Sequence, residues 1–216
     1  MKHYRLKPSG MLVFVSSLFF FFPPVKAQLF EGGMMGGITG SQVDGDNYGG
    51  YHKLNLAAGV YVRLHTATHR AIQMEIKYEG KGAAAYNFFD PNRVTPNDMY
   101  RLALQYVEIP LLWMYDFHPR FSFHLGLQPA YLFKGTVRDQ YGDVFNVFDY
   151  ADFRKFEMAG LTGLSYRINP RIEGWVRFSY SITPIMQYEG GVATRPWFRN
   201  LYNNGIGLCV YYRLDQ

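Results

Sequence analysis

Ser122 and His124 stand two positions apart, a spacing that puts both side chains on one side of an extended chain. A hydroxyl beside an imidazole, with an acid to orient the ring, is the equipment for hydrolysing a lipid ester. Asp44-Gly45-Asp46-Asn47 opens like a calcium loop but lacks the later acidic ligand, and it reads as a solvated turn. Asp139, Asp143, Asp149 and Asp152 read as a wet acidic surface, and no metal or cofactor is expected. Cys209 is the single cysteine, which excludes an intramolecular disulfide and a cysteine-based metal cluster. Glu75, Lys77 and Glu79 suggest a different chemistry: charges of both signs on every second residue, able to pair with one another.

A period of two belongs to a β-strand. In RAIQMEIKYEGK, Ile72, Met74, Ile76 and Tyr78 share the face opposite Gln73, Glu75, Lys77 and Glu79. KLNLAAGVYVRLH sets Leu54 to Leu64 against Lys53, Asn55, Tyr61 and Arg63, and FSFHLGLQPAYLFK sets Phe121 to Phe133 against Ser122, His124, Gln128 and Lys134. The pattern predicts eight strands, at about 29–42, 53–65, 70–82, 101–116, 121–135, 154–168, 171–184 and 201–214. Helix-period patterns are absent, so residues 28–216 are expected to form one all-β domain. The fourth strand alternates cleanly only from Val107 to Tyr115, which places a bulge near Tyr106.

The connections decide which face is inside. They are tight around Thr66–His69, Phe117–Arg120 and Asn169-Pro170, and long after strands one, three, five and seven. Short turns at one end and long loops at the other belong to an eight-stranded antiparallel up-and-down transmembrane β-barrel, with turns in the periplasm and loops outside. The apolar face then meets lipid. The charged face lines a polar lumen that side chains fill: Glu75, Lys77, Glu79, Lys81, Glu108, Lys155, Glu157, Arg167, Arg171, Glu173 and Arg177. Mixed signs there can pair, so free diffusion through the barrel is not expected. In the sixth-to-seventh hairpin, parity excludes a two-residue Asn169-Pro170 turn. Closing over Ile168-Asn169-Pro170 would oppose Arg167 with Arg171, so charge pairing favours closing over Asn169-Pro170-Arg171, which opposes Arg167 with Glu173 and Ile168 with Ile172.

Residues 1–27 carry a basic leader, an apolar run from Met11 to Phe22 and small residues Val25 and Ala27 before Gln28, as in a cleaved secretory signal peptide. Without that segment's four basic residues (Lys2, Arg5, Lys7, Lys26), 18 Lys+Arg face 17 Asp+Glu, which gives no case for a nucleic-acid partner. The expected location is the outer membrane. Expected partners are outer-membrane lipid and, during biogenesis, the barrel-assembly machinery. The loop aromatics Phe88, Phe89, Tyr141, Phe145, Phe148, Tyr150 and Trp197 suit an interfacial belt or an exposed contact surface for a protein or glycan.

Five stretches, GGITGSQVDGDNYGGYHK, YVEIPLLWMYDF, GLQPAYLFKG, LTGLSYRINPRIEGWVRFSYSITPI and YNNGIGLCVYYRL, resemble the PorT-type outer-membrane β-barrel family. The resemblance implies a small Gram-negative outer-membrane barrel, a link to type IX secretion through the founding member, and no catalytic motif. The leading expectation is a non-enzymatic scaffold, receptor or accessory component using its outer loops or periplasmic turns. A lipid-modifying hydrolase built on Ser122 and His124 is the alternative, although that pair would point into the lumen on the periplasmic half of its strand. A secreted lipocalin-like binder would need the charged faces turned outward.

Overall fold

The computed structural model describes residues 30–46, 50–85, 100–139, 141–187 and 200–214, without the side chain of Tyr150. The proposed signal peptide, Phe88, Phe89 and Trp197 lie outside these residues. The strands are β1 (Phe30–Asp44), β2 (Lys53–Ala67), β3 (Arg70–Ala84), β4 (Arg101–Glu108), β5 (Leu111–His118), β6 (Phe121–Arg138), β7 (Val144–Asn146), β8 (Phe156–Asn169), β9 (Ile172–Ser181), β10 (Met186–Gln187) and β11 (Asn200–Arg213). One four-residue helix, α1 (Val147–Tyr150), follows β7, with Asn146 capping it by accepting from the Phe148 N–H.

β4 and β5 form a single stave interrupted at Ile109-Pro110. Pro110 has no N–H to give the ladder, but its carbonyl accepts from Glu75 N at 3.0 Å, and Ile109 N donates to Pro129 O at 2.9 Å. Counting that pair as one stave, the ring runs β1, β2, β3, β4/β5, β6, β8, β9, β11, and β11 pairs antiparallel with β1 to close it. The result is an antiparallel up-and-down barrel of eight staves.

Closure inverts the burial rule of a soluble protein. Leu56, Val60, Ile76, Leu125, Val176 and Leu208 are each more than half exposed on the outer wall, while Glu75, Lys77, Glu108 and Arg177 are buried. An apolar exterior with a charged interior suits a barrel whose solvent is lipid. Aromatic pairs stand along the wall: Phe121–Tyr166 and Trp113–Tyr115 toward the short turns, Tyr78–Phe133 and Tyr131–Phe156 toward the loops. Such rings suit the two membrane interfaces.

The three short turns solve one geometric problem in the same way. A two-residue turn joining strands of fixed inward parity would oppose an inward residue with an outward one. Each hairpin therefore carries a register shift just before its turn, between His65 and Ala67, Asp116 and His118, and Arg167 and Asn169. The extra residue restores parity. In the last hairpin Arg167 opposes Glu173 and Gly163 opposes Arg177, as the charge argument required. The turn itself differs from that argument: Asn169 pairs with Ile172 and Ile168 is the residue left over. Asn169 Oδ1 accepts from the N–H groups of Arg171 and Ile172 at 2.8 and 2.9 Å, which stabilises the tighter closure.

The bulge expected near Tyr106 is found beside it, on the neighbouring strand. Gln105 pairs with Lys134 and Tyr106 with Leu132, so Phe133 is the extra residue. β4 therefore alternates without a break, with Leu102, Leu104 and Tyr106 all fully buried inside. Beyond Phe133 the facing of β6 reverses. Gly135 and Val137 turn inward, and Lys134, which the simple alternation placed inside, is exposed on the outer wall.

Candidate functional site

Among the described residues, ionisable groups converge in the lumen, which is built in layers. At the periplasmic end Arg63 makes a bidentate pair with Glu173 (3.1 and 2.8 Å) and a second pair with Glu31 (2.7 Å), which also holds Arg213 (2.6 Å) and His65 (3.2 Å). Arg167 joins Glu173 at 3.3 Å across the hairpin. Arg63 Nε donates to Gln73 Oε1, and Gln73 Nε2 donates to Glu75, which carries the network upward.

The next layer is aromatic. His124 lies tilted against Trp175 with centroids 4.2 Å apart, Trp175 stacks on Tyr211 at 4.3 Å, and Tyr61 follows, tilted, at 5.2 Å from Tyr211. Two guanidiniums approach the rings: Arg63 lies 5.8 Å from the Trp175 centroid and Arg177 lies 4.4 Å from it. Each cation meets a ring face and keeps a carboxylate partner, so its burial is compensated twice. Gly163 makes room for this layer, since a Cβ there would run into the His124 ring and the Val176 carbonyl.

Above the rings Arg177 grips Glu75 with two bonds of 2.8 and 2.6 Å, and the Tyr211 hydroxyl donates to the same carboxylate at 2.9 Å. Lys77 pairs with Glu79 and with Glu108, the latter at 3.0 Å. Lys81 bridges Glu108 and Glu157 at 2.8 and 3.1 Å. Ser181 and Asn203 donate to Glu157 at 2.5 and 2.8 Å, and Asn203 reaches the Tyr106 hydroxyl at 3.2 Å. Charges of both signs are thus cross-linked from wall to wall.

An apolar layer closes the outer end. Val43, Leu102, Leu104, Leu132, Val137, Val147 and Ile185 are almost wholly buried and pack as one cluster. Val147 comes from the segment between β6 and β8, which folds back over the mouth and sets that side chain against Gly135 and beside Leu104. Ile185 enters from the segment after β9, held by Ile185 N donating to Leu201 O and Arg154 N donating to Ile185 O, both at 2.8 Å.

Of the residues singled out from sequence, Glu75, Lys77, Glu79, Lys81, Glu108, Glu157, Glu173 and Arg177 lie buried in this lumen, Arg167 lies half-buried at its lower mouth, and Arg171 is exposed in the short turn rather than lumenal. Lys155 is a correction. It precedes β8 and is exposed, with its ammonium 5.4 Å from the Phe148 ring centroid, because the strand begins at Phe156, two residues later than the alternation implied. Glu31, Tyr211 and the apolar mouth were missed, and Arg63, although set on the polar face of its strand, was not counted among the lumenal charges. The odd-numbered parity of β1, β2 and β11 carried the signal for Glu31, Arg63 and Tyr211.

The hydrolytic pair does not assemble. Ser122 Oγ donates to Asp116 Oδ1 at 2.5 Å, while His124 is completely buried against Trp175 with no hydrogen bond to either ring nitrogen among the described residues. No group of His, Cys, Asp and Glu among the described residues is arranged to hold a metal ion. Of the loop aromatics, Tyr141 is 79% exposed and Phe145 is exposed, whereas Phe148 packs against the apolar mouth.

Comparison with known proteins agrees with the architecture. A family model described as an outer membrane protein beta-barrel domain matches residues 26–187. Among solved structures, the attachment invasion locus protein Ail of Yersinia pestis, in complex with the heparin analogue sucrose octasulfate, aligns with a TM-score of 0.52 at 13% identity, covering 86% of this chain and 99% of that one. Neisserial surface protein A aligns with a TM-score of 0.49 at 13% identity, covering 85% and 96% of the two chains. No curated protein matches the sequence. With its charged interior, lipid-facing apolar wall and matched domain, the chain belongs to the outer membrane protein beta-barrel domain family and resides in the outer membrane.

Proposed function

We propose that the protein is a closed, non-enzymatic barrel that presents its outer loops to a protein or glycan partner. The observation that carries this reading is the sealed mouth: Val147 and Ile185, both fully buried, plug the barrel above a cross-linked ion-pair core. A barrel filled in this way has no space for a substrate, and its remaining chemistry lies on exposed surfaces. The hairpin of β6 and β7 projects Tyr141 and Val144 into solvent above that plug, on a rigid strand pair. An exposed aromatic on a fixed scaffold suits contact with a partner. The sucrose octasulfate complex of Ail supports a glycan as one class of partner for a barrel of this shape. Resemblance to the PorT-type family supports an accessory role in protein secretion, with export by the N-terminal signal segment and insertion by the barrel-assembly machinery.

A photo-crosslinking residue at Tyr141, in cells expressing the full chain, tests the reading. Discrete adducts on the cell surface are expected, and they should disappear in a Val144→Ser/Phe145→Ser background. Adducts from a crosslinker at Thr68, in a short turn, with none from Tyr141 would place the contact on the periplasmic side and sink the outer-loop reading.

A further inference from the structure

Up to Phe133 the outward residues of β6 (Phe121, Phe123, Leu125, Leu127, Tyr131) form an apolar wall. Past the bulge the wall becomes basic. Lys134, Thr136 and Arg138 face outward, paired with Gln105, Ala103 and Arg101 of β4. Arg101 and Arg138 are thus directly opposed. Like charges in that position destabilise an antiparallel pair. Among the described residues no carboxylate pairs with Arg101, Lys134 or Arg138. Of the nearby acids, Asp139 Oδ1 accepts from Tyr141 N and Asp143 N at 2.8 and 3.0 Å within its own turn, and Asp143 is exposed.

The depth of the patch limits what could neutralise it. From Phe121 to Lys134 a strand tilted as in small barrels rises about 30 Å, just beyond an apolar band about 25 Å tall. The Tyr78–Phe133 and Tyr131–Phe156 pairs lie immediately below, at the level where aromatics meet headgroups. The cations therefore stand on the lipid side of the barrel at the headgroups of the outer leaflet. Between the two basic rungs lies Ala103 opposite Thr136, small enough to leave room for a ligand group.

We propose that Arg101, Lys134 and Arg138 form a binding site for the phosphate groups of a phosphorylated glycolipid in the outer leaflet. A phosphate between the two guanidiniums accepts from both forks and turns their repulsion into shared attraction. Lys134 adds a point charge four positions back along the strand, about 13 Å away. The bulge at Phe133 is what creates the site, because it re-aims Lys134 from the lumen to the wall.

The probes are diphosphoryl lipid A, its fully dephosphorylated form, phosphatidylglycerol and inorganic phosphate, each added to the folded chain in detergent and read by native mass spectrometry. Wild type is expected to retain diphosphoryl lipid A above the other three. Retention should fall about ten-fold for each of Arg101→Gln and Arg138→Gln, since charge-assisted bonds are lost. Arg171→Gln, in a short turn at the opposite end, should leave it unchanged. Thermal unfolding supplies a second readout with a change of sign: Arg138→Gln should raise the midpoint without lipid, by relieving repulsion, and lower it with diphosphoryl lipid A present. Equal retention of the dephosphorylated lipid or of phosphatidylglycerol, competition by inorganic phosphate at matched concentration, or an Arg138→Gln effect of one sign in both conditions would overturn the site.

Discussion

Between Arg63 and Glu157 the barrel interior is crossed by ion pairs set among apolar side chains such as Leu112, Met114, Leu161 and Trp175, whereas from Leu104 to Ile185 it is held by apolar contact, and the two levels obey different rules. A buried charge is tolerated only while its partner is present, so the lower lumen should respond to mutation pair by pair. An apolar layer loses stability in proportion to the volume removed, so the mouth should respond gradually. The lower lumen therefore specifies one arrangement of the staves, and the mouth seals whatever arrangement results.

The largest effect should come from separating a buried pair. Arg177→Met leaves Glu75 buried without its bidentate partner and should remove about 3–5 kcal/mol of stability. Adding Glu75→Leu should recover most of that loss, because two apolar residues need no mutual charge. Urea unfolding in detergent micelles measures both, and a double variant no more stable than the single one would break the distinction between the two levels.

At the mouth, Leu132→Ala should remove about 2–4 kcal/mol, while Leu132→Met should stay within about 1.5. The same unfolding assay reads them. An alanine as mild as the methionine would mean that the outer apolar layer is not packed. The smallest effect belongs to Arg167, whose side chain is 32% exposed where it meets Glu173. Arg167→Ala should change stability by about 1 kcal/mol or less, since solvent screens this pair. A loss matching that of Arg177→Met would show that the hairpin charge pair belongs to the buried network.

These two levels were also unequally legible in the sequence. The lower lumen announces itself through strict alternation in β3, β8 and β9, where Glu75, Lys77, Glu157, Glu173 and Arg177 could not face lipid. The Arg167–Glu173 register followed from parity and charge alone. Glu31 was hidden in a glycine-rich strand whose alternation carries little hydrophobic contrast. The mouth was invisible for a different reason. Leu102, Leu104 and Leu132 are apolar residues on an inward face, and a period-two pattern with apolar residues on both faces reads as a defect in the strand. The bulge at Phe133 compounded this, because an extra residue in one strand is sensed from the sequence of its neighbour only as an irregularity near Tyr106. Val147 reaches the mouth through the fold of a long connection, which no local periodicity encodes.

Conductance of the folded chain in planar lipid bilayers tests most directly whether the lumen is closed at both levels. Wild type should show no ohmic steps above the bare-bilayer background, and Val147→Asp should remain silent as well, because the ion-pair core still fills the cross-section below the opened mouth. Reproducible open levels from the wild-type chain would contradict the account.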